Sequence, residues 1–342
     1  MSAAGHIDPA WREVLAPYTK PSRRLSLLDL ATSVLPFLVG WAAMYLTLDV
    51  GYWLTALIAF PTAGFAVRTF IVFHDCTHGS FFESRRANVW VGRVLGIMVL
   101  QPFAEWRHAH AVHHSSAGDL DRRGHGDVET MTVREYLAAP AKKRIAYRLF
   151  RNPLVMYGLG PFFAMAITPR FTNPRMRPRM RNSVLLNDLA IVVVLTALCF
   201  WLGPINVLLV QAPLVFLAGG AGIWLFYVQH QFEDVYWESG ETWNYATAAL
   251  EGSSYLKLPK VLQFFSGNIG LHHVHHLSAR VPNYRLQACH DDLEIFDTVP
   301  VLTVWDGIKT LRLKLYDEDA GRLITWRELN RKQAPRPVVG TA

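Results

Sequence analysis

The chain has 342 residues, 51% hydrophobic and only 18% charged, with a formal net charge of +7 and a mean hydropathy of +0.16. That balance excludes an ordinary cytosolic enzyme of this size and points to a membrane protein. The positive charge does not argue for nucleic acid, because the aromatic interleaving and motifs of a nucleic-acid module are missing.

Residues 1–24 show no basic start followed by an apolar core and a small-residue cleavage site, so no cleaved signal peptide is expected and the segment reads as cytosolic. Two apolar runs follow, at about 27–48 and 51–73, each long enough for a hydrocarbon core of about 30 Å. Residues 74–183 read as cytosolic or interfacial. Within them the apolar pieces 89–103 and 154–168, at about 15 residues each, are too short to cross and should lie in the interface or dip in and return. Two more spans, 184–202 and 205–227, are split by Gly203 and Pro204, a turn that allows only an antiparallel hairpin. The GGAG stretch 219–222 in the last span reads as a place of close helix packing, and Trp224 and Tyr227 as packing or belt aromatics.

The membrane domain thus covers 25–290. Residues 291–342 form a cytosolic C-terminal helical segment, with Val304, Ile308, Leu311 and Leu315 at helical spacing, and a tail from Gln333 expected to be disordered. The expected fold is an all-α membrane protein: four transmembrane helices in two hairpins, interfacial helices, and a cytosolic helical cap carrying a histidine-rich di-metal site. Lys20, Arg23 and Arg24 precede the first span and Arg170, Arg175, Arg177, Arg179 and Arg181 the third, whereas the intervening turns carry no Lys or Arg. Both termini should therefore be cytoplasmic. Cys76, Cys199 and Cys289 form no CxxC pattern and predict no disulfide.

Most of the 14 histidines fall into three clusters and one outlier. In "HDCTH", His74 and His78 are four apart and share a helix face. In "WRHAHAVHH", His110, His113 and His114 stand at i, i+3 and i+4, a spacing repeated by His272, His275 and His276 in "GNIGLHHVHHLSARVPNY". His230, in "YVQHQFED", ends the last span. All four groups fall on one side of the membrane at or beyond helix ends. Nine imidazoles exceed what one zinc can use, since zinc takes four ligands; two metals would use them, and imidazole suits iron, copper and zinc alike. The helix presenting the third cluster should run between Gly267–Asn268 and Pro282. His108 and His273 break the spacing and should point away, solvated or beside the ligands; His6, His125 and His290 read as surface residues. Asp75, Glu105, Asp234 and Asn268 are candidates to hold the outer nitrogen of a ligating imidazole, Asn268 because it precedes His272 by four residues. Glu233 is either such a group or a salt-bridge partner, and Cys76 a packed residue.

With those residues in view the chain resembles the membrane-bound fatty acid desaturases, and within them the bacterial acyl-lipid desaturases of the Bacillus Δ5 type. The three histidine boxes are HxxxH at His74 and His78, HxxHH at His110, His113 and His114, and HxxHH at His272, His275 and His276. The resemblance implies a di-iron centre and O2 as co-substrate, with His230 as a further iron ligand. It also implies a fatty acyl, lipid-linked substrate, a bacterial inner-membrane location, and an external electron donor, ferredoxin or a cytochrome b5-like carrier. Desaturation takes two hydrogens from unactivated methylenes, which no side-chain acid or base can do, so an oxidising metal and O2 are needed. The chain shows no flavin, nicotinamide, iron–sulfur or haem motif of its own, hence the separate donor. The basic run Lys142, Lys143, Arg144 and Arg148 suits an acidic carrier or anionic headgroups. Three alternatives stay open: a lipid hydroxylase or ketolase on the same iron scaffold; an intramembrane zinc protease, "HDCTH" mimicking HExxH although Asp75 reaches poorly; and a metal transporter, whose site would lie nearer the bilayer midplane.

Overall fold

A computed structural model describes residues 11–124 and 128–333. His6, His125 and the tail after Gln333 lie outside the described residues. The chain is mainly helical: α1 (Trp11–Leu15), α2 (Arg23–Leu46), α3 (Tyr52–His78), α4 (Arg85–Met98), α5 (Phe103–Ser116), α6 (Val133–Ala138), α7 (Ala141–Phe150), α8 (Pro153–Gly158), α9 (Pro178–Leu202) and α10 (Pro204–His230). After α11 (Tyr245–Glu251) come β1 (Tyr255–Lys257), α12 (Lys260–Phe265), α13 (His272–Leu277), α14 (Asn283–Asp292), β2 (Val301–Thr303), α15 (Val304–Thr310), β3 (Leu313–Asp317), β4 (Arg322–Thr325) and α16 (Trp326–Gln333).

Among the described residues four helices are long and apolar enough to cross a membrane: α2, α3, α9 and α10. They form the two hairpins α2/α3 and α9/α10, and α10 also packs on α3, so that Met44, Ala59, Ala63, Val67, Val210 and Leu214 close one stem core. Helix α3 has 27 residues, about 40 Å at 1.5 Å per residue, which exceeds a hydrocarbon core of about 30 Å. Its last two turns, carrying His74 and His78, therefore stand beyond the apolar stem. The apolar run that defines a span ends before the helix does. Pro36, Pro61 and Pro213 sit inside three of these helices, a position that neighbouring helices make tolerable in a membrane stem.

The shorter apolar pieces do not span singly. The first is α4, which turns by 100° into α5; the break lies at 99–102, where Leu100 takes φ 58°, so Phe103 belongs to the histidine-bearing helix rather than to the apolar piece. The second is α8 followed by a π-helical turn at Phe162–Ile167, which packs along α10. A Cβ on Gly219 would meet Met165 Sδ at 2.8 Å and Pro161 Cβ at 2.9 Å, whereas one on Gly222 would meet nothing within 4 Å. Close packing is thus the work of Gly219 alone. Gly219→Val should cost about 1–3 kcal/mol by overpacking and lower the midpoint of thermal unfolding in detergent, while Gly222→Ala should leave it in place.

The cap is not wholly helical. Strands β1 and β2 pair in parallel and β3 and β4 antiparallel, and Leu315 lies in β3 instead of continuing the helix of Val304 and Ile308. All five residues of β3 are buried, so the strand shows no in–out alternation that would mark it in the sequence. Arg151 ties this cap to the end of α10. It is fully buried, donating from Nη2 to Gln231 Oε1 at 2.9 Å and Leu313 O at 3.1 Å, and from Nη1 to Thr130 Oγ1 at 2.8 Å.

Candidate metal centre

The nine box and outlier histidines converge. His74 and His78 come from the overhanging end of α3, His110, His113 and His114 from α5, His230 from the last residue of α10, and His272, His275 and His276 from α13. They form two groups whose ligand atoms lie within 4.8 Å of one another: His74, His78, His110, His114 and His275 in the first, His113, His230, His272 and His276 in the second. The division crosses the boxes. In each HxxHH the i and i+4 residues stand about 40° apart around the helix and serve one group, while i+3 lies about 60° to the other side and serves the opposite group. Helices α5 and α13 thus exchange their i+3 histidines.

The geometry of the nitrogens fits metal ions better than hydrogen bonds. His110 Nε2 lies 3.0 Å from His74 Nε2 and 3.1 Å from His114 Nε2, and His230 Nε2 lies 2.9 Å from His272 Nε2. A neutral imidazole nitrogen either donates or accepts, so His110 Nε2 cannot satisfy two such neighbours as a chain. His78 Nε2, His275 Nε2 and His276 Nε2 are buried with no hydrogen-bond partner among the described residues, a cost of about 1–3 kcal/mol each unless something binds them. Burial pushes His110, His114, His272, His275 and His276 well below the usual histidine range. They are held neutral, with a lone pair to offer a cation.

Partners behind the rings fix some tautomers. Asp75 Oδ1 lies 3.0 Å from His74 Nδ1, and its Oδ2 accepts from Asn283 N at 2.7 Å and Asn283 Nδ2 at 3.0 Å. Asn283 Nδ2 also donates to Asp29 Oδ2 at 2.9 Å, and Asp29 is ion-paired with Arg68. The carboxylate behind His74 is therefore anchored to α14 and, through α2, to the stem. His230 Nδ1 faces Gly252 O at 3.1 Å, which leaves Nε2 free of its proton on the inner side. The outer nitrogens of His114 and His272 are buried without a described partner. Aromatic rings close the walls: Trp106 stacks on His110 at 4.3 Å, and Phe226 lies 5.0 Å from His113 and 5.4 Å from His230. Asp29, Asn283, Gly252, Trp106 and Phe226 were not marked as site residues by sequence spacing; only Trp106, four residues before His110, left a signal there.

Several sequence expectations are corrected. Asn268 is not on the histidine helix: it sits in a left-handed turn at φ 59°, and its Nδ2 donates to Asn283 O at 3.1 Å. The helix starts only at His272 because Leu256 N donates to Gly270 O at 2.8 Å and Leu271 bridges to Tyr255, which draws the residues before it into strand pairing. Helix α13 likewise ends at Leu277, before Pro282. Gly267, at φ 52°, faces Ile71 where a Cβ would come to 2.8 Å of Cγ2, so the turn needs glycine. Asp234 is exposed, since the chain leaves the site directly after Gln231, and Glu233 pairs with Arg322 at 2.6 Å. Glu105, in the first turn of α5, makes no hydrogen bond to the nine histidines among the described residues. His108 is exposed. His273 is buried instead of solvated, facing His290 Nδ1 at 3.0 Å through Nε2, and His290 is half-buried. Cys76 is packed in an apolar cluster with Phe73 and Phe103.

A cavity of about 710 Å³ is lined by His230, Phe226 and Gln231 and also by Ala138, Lys143 and Phe150. The sequence model of one protein family, described as fatty acid desaturase, matches residues 51–298. The chain is 44% identical to a fatty acid desaturase of Bacillus subtilis over 92% of its own length and 90% of that protein's. It is 28% identical to the sn-1 oleoyl-lipid 12-desaturase of Synechocystis over 75% and 76% of the two chains. It is 26% identical to the sn-1 acyl-lipid omega-3 desaturase (ferredoxin) of the same organism, over 64% and 61%.

Proposed function

Because the chain belongs to the fatty acid desaturase family, we propose that it introduces a cis double bond into the acyl chain of a membrane lipid, using O2 and two iron ions held by the nine histidines. The observation that carries this reading is the division of nine converging imidazoles into a group of five and a group of four. Bound there, two irons would supply the O2-derived oxidising power that takes hydrogen from unactivated methylenes. His74, His78, His110, His114 and His275 would hold one ion and His113, His230, His272 and His276 the other. All-imidazole donors suit iron and leave the pair cationic, hence oxidising.

The other residues prepare and shield that site. Asp75 and Gly252 O keep the outer protons on His74 and His230, so that the inner nitrogens point inward. Trp106 and Phe226 exclude water from the face where the chain must lie. The cavity that reaches His230 supplies the approach for the acyl chain. Two electrons per turnover must come from a separate carrier, ferredoxin or a cytochrome b5-like protein; a relative of this chain carries ferredoxin in its name. In this reading residues 25–290 form the membrane domain of a bacterial inner-membrane protein, with both termini and the histidines on the cytoplasmic side, as the basic residues ahead of α2 and α9 favour.

Expression with a donor in a host lacking polyunsaturated lipids, followed by mass spectrometry of total lipid, tests this directly. The expected product is 2 Da lighter than its precursor and contains no added oxygen. A product 16 Da heavier would replace desaturation by hydroxylation.

A further inference from the structure

Helix α7 is held to the cap chiefly through Tyr147, which is buried and whose hydroxyl donates to Lys314 O and accepts from Met131 N at 3.1 Å. At 100° per residue, Ile145 and Leu149 fall on the opposite side of the helix. They are 60% and 57% exposed, and Lys142 and Arg148 flank them on either side of the wheel. The helix sequence AKKRIAYRLF contains no acid, and none of Lys142, Lys143, Arg144 or Arg148 has a carboxylate partner among the described residues. Glu135 is ion-paired with Arg123 at 2.5 Å and attracts Lys143 only at longer range. Arg148 lies over the Trp326 ring at 4.6 Å and donates to the Tyr136 hydroxyl at 2.6 Å, contacts that bring it no carboxylate.

An apolar ridge between two rows of cations is the pattern of a helix lying in a lipid interface. The ridge also continues: Leu154 is 82%, Leu159 56% and Phe163 51% exposed, along the segment that packs on α10 as far as Gly219, about 16 Å of helix short of His230. Exposed apolar surface thus runs from α7 towards the stem, broken only at the turn that carries Asn152. A soluble acidic protein would satisfy the cations and leave that ridge uncovered; anionic headgroups over acyl chains satisfy both. The cavity opens beside this helix, where its exposed lining residues include Lys143 and Phe150 together with Ala138, Glu129 and Glu135.

We propose that α7 lies in the headgroup layer and holds the phosphate of an anionic phospholipid at the cavity mouth, so that acyl chains are drawn from anionic lipids of that leaflet. The choice of lipid rests on the desaturase reading; the seat of the helix does not. The test uses the full chain in nanodiscs of phosphatidylglycerol or phosphatidylcholine, with a nitroxide on Leu149→Cys and Cys199→Ala removing the one thiol that is not buried. In phosphatidylglycerol the label should favour oxygen over a water-soluble nickel relaxant, placing it below the phosphates. Lys142→Glu with Lys143→Glu should move it towards water and lower the ratio of phosphatidylglycerol to phosphatidylcholine turnover by at least about 25-fold, about fivefold for each of the two cations lost near an anionic surface. Should the reversed pair fail to fold, Lys142→Gln with Lys143→Gln removes the charges and should shift both readouts in the same direction. A label open to nickel in phosphatidylglycerol, or one shielded only when the soluble donor is added, overturns the proposal. A label below the phosphates in a protein that desaturates no lipid supports the seat and overturns only the desaturase reading.

Discussion

His275→Ala removes one metal ion from the purified protein and His276→Ala removes the other, although the two residues are adjacent. His275 joins His74, His78, His110 and His114, while His276 joins His113, His230 and His272. Pairs of substitutions separate this arrangement from one box per ion. His110→Ala with His275→Ala falls within one group and should leave one ion bound; His275→Ala with His276→Ala strikes both and should leave neither firmly held. Each single variant should lose more activity than the roughly 10–100-fold that removal of a group behind a ligand costs, because both ions serve one reaction and the loss of either stops it. Metal content and lipid unsaturation, measured on the same preparations, check the result. Equal loss of both ions from every single variant would argue for one merged site.

Asp75→Asn gives the second large effect. Asp75 Oδ1 takes the outer proton of His74, and its Oδ2 accepts two hydrogen bonds from Asn283. An amide of the same shape can keep one acceptor but brings an NH2 group that must face either His74 Nδ1 or the Asn283 donors. One of these contacts then becomes donor against donor. The expected outcome is a 10–100-fold loss of activity or of affinity for the metal of the first group, with the second group's ion retained. Asn283→Ala, which frees the carboxylate without removing it, should fall short of that loss. If Asp75→Asn proves neutral on both readouts, the carboxylate is only a structural link between α3 and α14.

The parts of this site that were legible in the sequence are those that depend on one helix at a time. Apolar runs marked the four long helices, and spacings of three and four marked the histidines, because helical periodicity is a local property. The helices extend past their apolar runs to His78 and His230, where the stem ends and the site begins. The crossing of His113 and His275 was not legible, since it needs α5 and α13 face to face and they lie far apart in the chain. Asp75 could be found by adjacency to His74; Asn283 and Asp29 could not, being separated from it by 208 and 46 residues. Asn268 misled because spacing was read through a segment that strand pairing at Gly270 and Leu271 holds out of the helix. Strand β3 was missed for the opposite reason: burial on every face erased its period. Asp234 sits three residues after Gln231, the last buried polar position before it, and a single turn of chain carries it into solvent.

The arrangement of nine imidazoles in groups of five and four stands or falls on what they hold. Elemental analysis of the protein purified without chelators, with Mössbauer spectroscopy of the 57Fe-grown sample, is the most direct measurement. Two irons per chain in two unlike coordination environments are the expected result. One zinc per chain with no iron would contradict it.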